Sequence, residues 1–284
     1  MTELARVENP SSGFREFAIA IARVILRSRA GFARAMALGY ILLAALGYCQ
    51  TVPADHSQVS VVLVHGAFAD GSSWAKVIPL LEAKGLHVVA VQNPLSSLAD
   101  DVAATKRAID DQDGPVILVG HSWAGMVISE AGNNPKVVGL VYISALVPDP
   151  GQSTNDILKP YAASPGNADT NKDAEGFLSM TRKGIDEDFV PELPASERDV
   201  IYATQGPWYS TCVAERVMVP AWTTKPSWFI AVHDRMLPPE YEQAIAKHIH
   251  ATTTTLSSGH VPMLSMPNDV AAVIVDAANK TRQR

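Results

Sequence analysis

The stretch at residues 116–125, VILVGHSWAG, constrains this chain more than any other. Val116, Ile117, Leu118 and Val119 form a short apolar run rich in β-branched residues, bounded by Gly114-Pro115 before it and Gly120 after it. The run is too brief for a helix and reads as a buried strand. Ser122 then falls on the turn between that strand and a helix starting near Trp123. So sharp a turn forces the serine into a strained backbone conformation with its neighbours packed tightly below. Small residues are therefore needed two positions before and after it. Gly120 and Ala124 fill those places, and Gly125 follows. An exposed serine of no consequence would not need such neighbours; with them, Ser122 is a candidate nucleophile.

Strand and helix alternate around this turn. Residues 60–64 (SVVLV), 86–91 (LHVVAV), 137–143 (VVGLVYI) and 227–232 (SWFIAV) read as buried strands, and the β-branched run at 252–256 as a last one. Helical spacing of apolar residues appears at 73–83, 98–110 and 240–248, and a final helix is expected at 267–279. This rhythm predicts an α/β fold, a mostly parallel sheet with helices on both faces. Residues 144–226 break it with Pro148, Pro150, Gly151, Pro160, Pro165, Pro191, Pro194 and Pro207. They are expected to form a cap, at about 147–226, above the carboxyl ends of the strands, where open α/β sheets bind ligands. Phe177, Met180, Phe189, Trp208, Tyr209, Met218 and Trp222 are available there to line a pocket or to form the cap's own small core.

A chain of 284 residues, 47% apolar and 18% charged, holds ample core for one large domain with an insertion. Its net charge is −6, and no Lys/Arg-rich stripe follows residue 35, so small molecules rather than nucleic acids are the expected partners. Cys49 and Cys212 are too few for a disulfide framework. No cofactor is implied, because there is neither a Walker A motif nor a GxGxxG after a strand. His248 and His250 on one helix would face different ways with no third ligand nearby in sequence, so no metal is expected either. Oligomeric state is not legible.

Residues 1–58 stand apart from the 59–284 domain. Arg23, Arg27, Arg29 and Arg34 precede the uncharged run AMALGYILLAALGYC at 35–49, and Val52-Pro53-Ala54 offers small residues where a signal peptidase reads. Export to the periplasm or medium is the expectation. The uncharged stretch 35–54 is almost long enough to span a bilayer, so an uncleaved membrane anchor stays open, as does a cytoplasmic chain with a docked helix.

Three chemistry-bearing side chains each fall just past a predicted strand: Ser122, Asp234 in HDRMLPP and His260 in SSGH. A serine hydroxyl is a poor nucleophile at neutral pH and needs a base such as histidine to take its proton. With His65-Gly66-Ala67 after the first strand, these motifs resemble the α/β-hydrolase fold, whose chain order is nucleophile, acid, histidine. The resemblance implies a doubly wound sheet with a cap inserted after the sixth strand, and a triad of Ser122, Asp234 and His260. It also implies an oxyanion hole from the backbone N–H groups of Ala67 and Trp123. Ala124 departs from the common pattern, which has glycine there. Asp149 competes with Asp234, since some members carry their acid after the strand at 137–143.

HGAFADGSSW, GHSWAG, HDRMLPP and SGHVPMLSMP together resemble the plant methylesterase and hydroxynitrile lyase group and its bacterial esterase relatives. The resemblance spans about 61–274 and is weakest across the cap. The lyase branch carries threonine where this chain has Gly66 and lysine where it has Val261. The resemblance therefore implies a serine esterase acting on small uncharged carboxylic esters. The alternatives are a ligand-binding signalling receptor on a hydrolase scaffold and a hydroxynitrile lyase-like enzyme.

Overall fold

The computed structural model describes residues 58–282. The export or anchor segment, with residues 35–54 and Cys49, lies outside the described residues. Among those described, no helix is long and apolar enough to cross a membrane.

The first half of the domain runs β1 (Ser60–Val64), α1 (Ile78–Glu82), β2 (His87–Val91), α2 (Leu98–Asp110), β3 (Val116–His121), α3 (Ala124–Ala131) and β4 (Val137–Ile143). An insert follows, and then β10 (Ser227–Ala231), α7 (Pro239–His248), β11 (Thr252–Thr255), α8 (Pro262–Ser265) and α9 (Pro267–Arg282) complete the fold. The insert contains β5 (Gln152–Ser153), α4 (Thr154–Leu158), β6 (Thr170–Lys172), β7 (Phe177–Met180), α5 (Arg182–Gly184), α6 (Ala195–Thr204), β8 (Trp208–Tyr209) and β9 (Arg216–Val217). It builds two small antiparallel sheets, β5 with β9 and β6-β7-β8.

Six strands form one parallel sheet in the order β11-β10-β4-β3-β1-β2. The central strands are buried along almost their whole length, as expected of apolar runs covered on both faces. β11 is an edge strand, and its four threonines combine a β-branched shape with polarity on a partly wet surface. Helices form two groups: α9 packs on α1, β3, β4 and β10, while α2 packs on α3, β1 and β2.

Two expectations need correction. The insert follows the fourth strand of the chain and not the sixth, because the sheet starts directly at Ser60 and only β1 to β4 precede it. The helix expected over 73–83 is broken. A 3-10 turn at Gly71–Trp74 is capped by Asp70, whose carboxylate accepts the Ser72 N–H at 2.6 Å, and only Ile78–Glu82 is α-helical. Pro79 sits in the first turn of α1; it has no N–H to continue an earlier helix and restricts the residue before it.

Strand order changes direction at β1, with β2 on one side and all later strands on the other. The crevice between β1 and β3 is therefore the switch point where such sheets bind ligands at their carboxyl ends. Register aligns Val64 with Gly120, which sets the Gly66 turn beside Ser122.

Candidate active site

The strain predicted at Ser122 is present: its φ is 55°, in the left-handed region, and its neighbours are buried. The turn is tied down on every side. Ser122 N–H donates to Ile143 O at 3.1 Å, and Ser122 O accepts from Gly125 N–H at 3.0 Å and Leu146 N–H at 3.1 Å. A side chain at Gly125 would place its Cβ 2.0 Å from Leu146 O, so glycine is needed there for close backbone approach. A Cβ on Gly66 would meet Ser122 Cβ at 2.8 Å and His121 O at 2.9 Å.

Asp234 and His260 come together from the loops after β10 and β11. His260 Nδ1 faces Asp234 Oδ2 at 2.5 Å, both side chains are closed to solvent, and Asp234 Oδ1 accepts the Met236 N–H at 2.6 Å. Asp149 is elsewhere: it is paired at 2.8 Å with His248 Nε2 in an exposed contact. The pairing also places His248 at the surface.

Ser122 and His260 line one cavity of about 270 Å³, together with Ala67 and Trp123. Neither the Ala67 N–H nor the Trp123 N–H donates to another group among the described residues. Two free backbone donors therefore share a cavity with a strained serine. Phe189 packs on the His260 ring, and Trp208 packs on Trp123 and Phe68. Of the seven cap residues named from sequence, Phe189 and Trp208 line the cavity. Phe177 and Tyr209 pack on each other, Met180 is buried, Met218 is 65% exposed, and Trp222 donates to Pro148 O at 2.8 Å. A second hollow of about 390 Å³ lies beyond Phe68, Phe189 and Val261 and includes neither Ser122 nor His260.

Three buried side chains that sequence reasoning left without a role hold this arrangement. His65 Nε2 accepts the Asn93 N–H at 2.9 Å, so the ring is neutral with its proton on Nδ1, which donates to Gly66 O at 2.9 Å. Burial lowers the pKa of His65, which agrees with a neutral ring. Fixing Gly66 O fixes the peptide plane, and across a trans peptide the Ala67 N–H must then point the opposite way. His121 Nε2 donates to His260 O at 2.9 Å; burial, with the neighbouring His260 adding to it, holds His121 well below the usual histidine range. It anchors the main chain of the histidine loop to β3.

Asp101 is the third. Its carboxylate accepts the Trp123 Nε1–H at 2.8 Å and the Leu95 N–H at 2.7 Å, which fixes the residue after Ser122. Burial raises its pKa to about 6, against those two hydrogen bonds. An acid with a raised folded value adds stability below its unfolded value, near 4, and loses that addition as pH rises through about 6. Asp101→Asn lacks this dependence. Wild-type stability relative to the variant is therefore expected to fall by roughly 2 kcal/mol between pH 4 and pH 6.5 and then to level off. Denaturant unfolding of both proteins across that range checks it, and a flat difference would refute it.

The alpha/beta hydrolase family profile matches residues 61–273, most of the chain. The chain belongs to the alpha/beta hydrolase family. Within it, the chain is similar to the pyrethroid hydrolase of Sphingobium wenxiniae, 26% identical over 253 residues covering 77% of this chain and 87% of that one. It is also similar to salicylic acid-binding protein 2 of Nicotiana tabacum, 25% identical over 266 residues covering 77% and 96%. Among solved structures, tomato methylketone synthase I complexed with 2-tridecanone shares the fold at a TM-score of 0.69 and 22% identity, covering 79% of this chain and 99% of that one. The sharp serine turn of this chain lies at the end of a central parallel strand.

Proposed function

We propose that this chain is a serine esterase that cleaves small uncharged carboxylic esters through an acyl-enzyme. The observation that carries the reading is the shared cavity: strained Ser122, His260 backed by Asp234 at 2.5 Å, and the unengaged N–H groups of Ala67 and Trp123. In this reading Ser122 Oγ attacks the carbonyl carbon while His260 Nε2 takes its proton. The carbonyl oxygen becomes negative and accepts from Ala67 and Trp123. His260 then gives the proton to the departing alcohol oxygen, and a water repeats the sequence to release the acid. Asp234 holds the Nδ1–H tautomer throughout and stabilises the imidazolium.

Two features support uncharged substrates of modest size. The cavity is about 270 Å³, at the small end for ligand sites, and among the described residues its lining has no carboxylate, lysine or arginine. Leu146, Leu158, Leu178, Val213 and Leu237 make much of its wall apolar. Gly66 and Val261 support ester hydrolysis over cyanide chemistry, since they leave the site without the hydroxyl and ammonium of the lyase branch. The similarity to a protein named as a pyrethroid hydrolase supports the same class. Turnover of esters of increasing acyl length, measured beside mandelonitrile cleavage with no metal or cofactor added, tests the proposal. Short-chain and small aromatic esters are expected to be preferred over long acyl chains; cyanide release with negligible ester turnover would overturn the assignment.

Export belongs to the same proposal, on the basis of the arginines before the apolar run at 35–49. The mature chain is then expected to begin near Asp55. N-terminal sequencing of secreted or periplasmic material checks this, and retention in the membrane would favour an anchor.

A further inference from the structure

Behind His260 and Asp234 lies a buried acid that the proposed chemistry does not use. Glu242, on α7, is completely closed to solvent. Its Oε2 accepts the Val232 N–H at 2.7 Å, and its Oε1 is sealed from water and accepts from no donor. Val232 stands two residues before Asp234, so the bond to its N–H brings the Glu242 carboxyl close to the Asp234 carboxylate, and the two groups interact. Two ionised carboxylates side by side in a region closed to solvent, with no cation paired to either among the described residues but the histidine itself, repel strongly, and sharing one proton removes the repulsion. The donors decide where that proton resides. Asp234 faces two, Met236 N–H and His260 Nδ1–H, whereas Glu242 faces one and has a bare oxygen.

We propose that Glu242 is a positioning residue of the site: it holds a proton on Oε1 and donates it to the Asp234 carboxylate, which in turn orients His260. The inference rests on the reading of Ser122, His260 and Asp234 given above. Burial, followed by the negative charge of Asp234, holds the Glu242 carboxyl well above the usual carboxylate range, in agreement with a protonated group. The other titratable groups near it among the described residues are tyrosines. Tyr241, next to Glu242 on α7, accepts the Val147 N–H at 2.7 Å, and Tyr161 and Tyr142 lie near Tyr241; burial raises Tyr241 and Tyr142 above the ordinary tyrosine range. Arg235 is turned to Asp188 at 2.7 Å and does not neutralise the pair.

A neutral donor to Asp234 drains some of its charge and so limits how strongly it stabilises the imidazolium. Without the donor, Asp234 pulls harder on the His260 proton, and the acid limb of the kcat/KM profile moves to higher pH. Losing the donor also leaves the Asp234 carboxylate free to turn away from the His260 ring, so Glu242→Leu is expected to lower kcat roughly tenfold at little change in KM and to move the acid limb up by about half to one pH unit. Glu242→Gln, whose amide donates to Asp234 and whose carbonyl accepts from Val232, is expected to return the limb to its wild-type position and to recover most of the lost activity. A purely structural Glu242 would lower Tm in the leucine variant without moving the limb. Should the leucine variant fail to fold, the glutamine variant still decides: an ionised Glu242 would make its acid limb drop below that of wild type, and this overturns the proposal.

Carboxyl-13C NMR of the full chain, with the Glu242 resonance assigned by its loss in Glu242→Gln, reads the proton directly and needs no turnover. A carboxylic-acid position at pH 7 is expected, and a carboxylate position overturns the proposal. Repeating the spectrum in Ser122→Ala separates the two ideas. If that variant keeps full esterase activity, the triad reading fails while the spectrum still judges the Glu242–Asp234 proton.

Discussion

Ser122→Ala is expected to lose on the order of 10⁴-fold or more in kcat with the fold intact. In the proposed reading the strained turn presents one oxygen to the cavity: Ser122 is held at φ 55° by three backbone hydrogen bonds and faces the same space as His260 and two unengaged N–H groups. Removing that oxygen removes the proposed acyl-enzyme route. The backbone donors remain, so a small residual rate over water should survive, as it does when an oxyanion hole acts alone. Alanine also tolerates the left-handed conformation about as poorly as serine, so the variant should keep its Tm within a few degrees. A phosphonate ester should add one covalent label to wild type, at Ser122, and none to the variant. A label on another residue, or full turnover by Ser122→Ala, would end the nucleophile assignment.

Asp234→Asn should cost about 10⁴-fold in turnover, and Asp149→Asn should cost little. The contrast follows from what each carboxylate touches. Asp234 Oδ2 accepts a hydrogen bond from His260 Nδ1–H inside a closed site, and an amide placed there can present N–H₂ to the ring and favour the tautomer whose Nε2 cannot accept the Ser122 proton. If the amide oxygen faces His260 instead, the negative charge that stabilises the imidazolium is still gone. Asp149 is bound to His248 on an exposed part of α7, and a surface pair of this kind is worth at most about 1 kcal/mol. Steady-state kinetics on both variants, with Tm to confirm folding, decides between them. A larger loss at Asp149 would transfer the role.

The comparison of these two aspartates shows where local sequence stops being informative. Both follow a strand in the chain, Asp149 after β4 and Asp234 after β10, and both sit among prolines. Which one reaches His260 depends on β10 lying between β4 and β11, so that the loops after β10 and β11 are neighbours. The aromatic residues of the insert behave alike. Phe189 and Trp208 reach the cavity, but Phe177 and Tyr209 spend their rings on each other across the β7–β8 pair, and no spacing in a segment so broken by proline distinguishes the two outcomes. Asp101 and Glu242 look in sequence like surface acids of amphipathic helices. Their burial appears only once α2 and α7 are docked. His65 was visible as part of the turn after β1, yet its grip on Gly66 O depends on Asn93, which arrives from the end of β2.

Contiguous residues alone specified the strands at Ser60–Val64 and Val137–Ile143, the strand that starts at Val116, the helix Leu98–Asp110 and the serine turn; the Val116 strand runs two residues past the apolar run, to His121. Each is written in contiguous residues: a buried parallel strand is a short β-branched run, and a strained turn demands small neighbours at fixed offsets. The same locality made Ser122, Asp234 and His260 legible as candidates, because each directly follows a strand. Only the tertiary structure decided what faces what. The pairing of His260 with Asp234, the proximity of Asp234 to Glu242, the hold of Asp101 on Trp123 and the apolar wall of the cavity join residues far apart in the chain. Hydrogen bonds and burial act over a few ångströms of space, and the spacing of residues along a chain carries that information only within a single element.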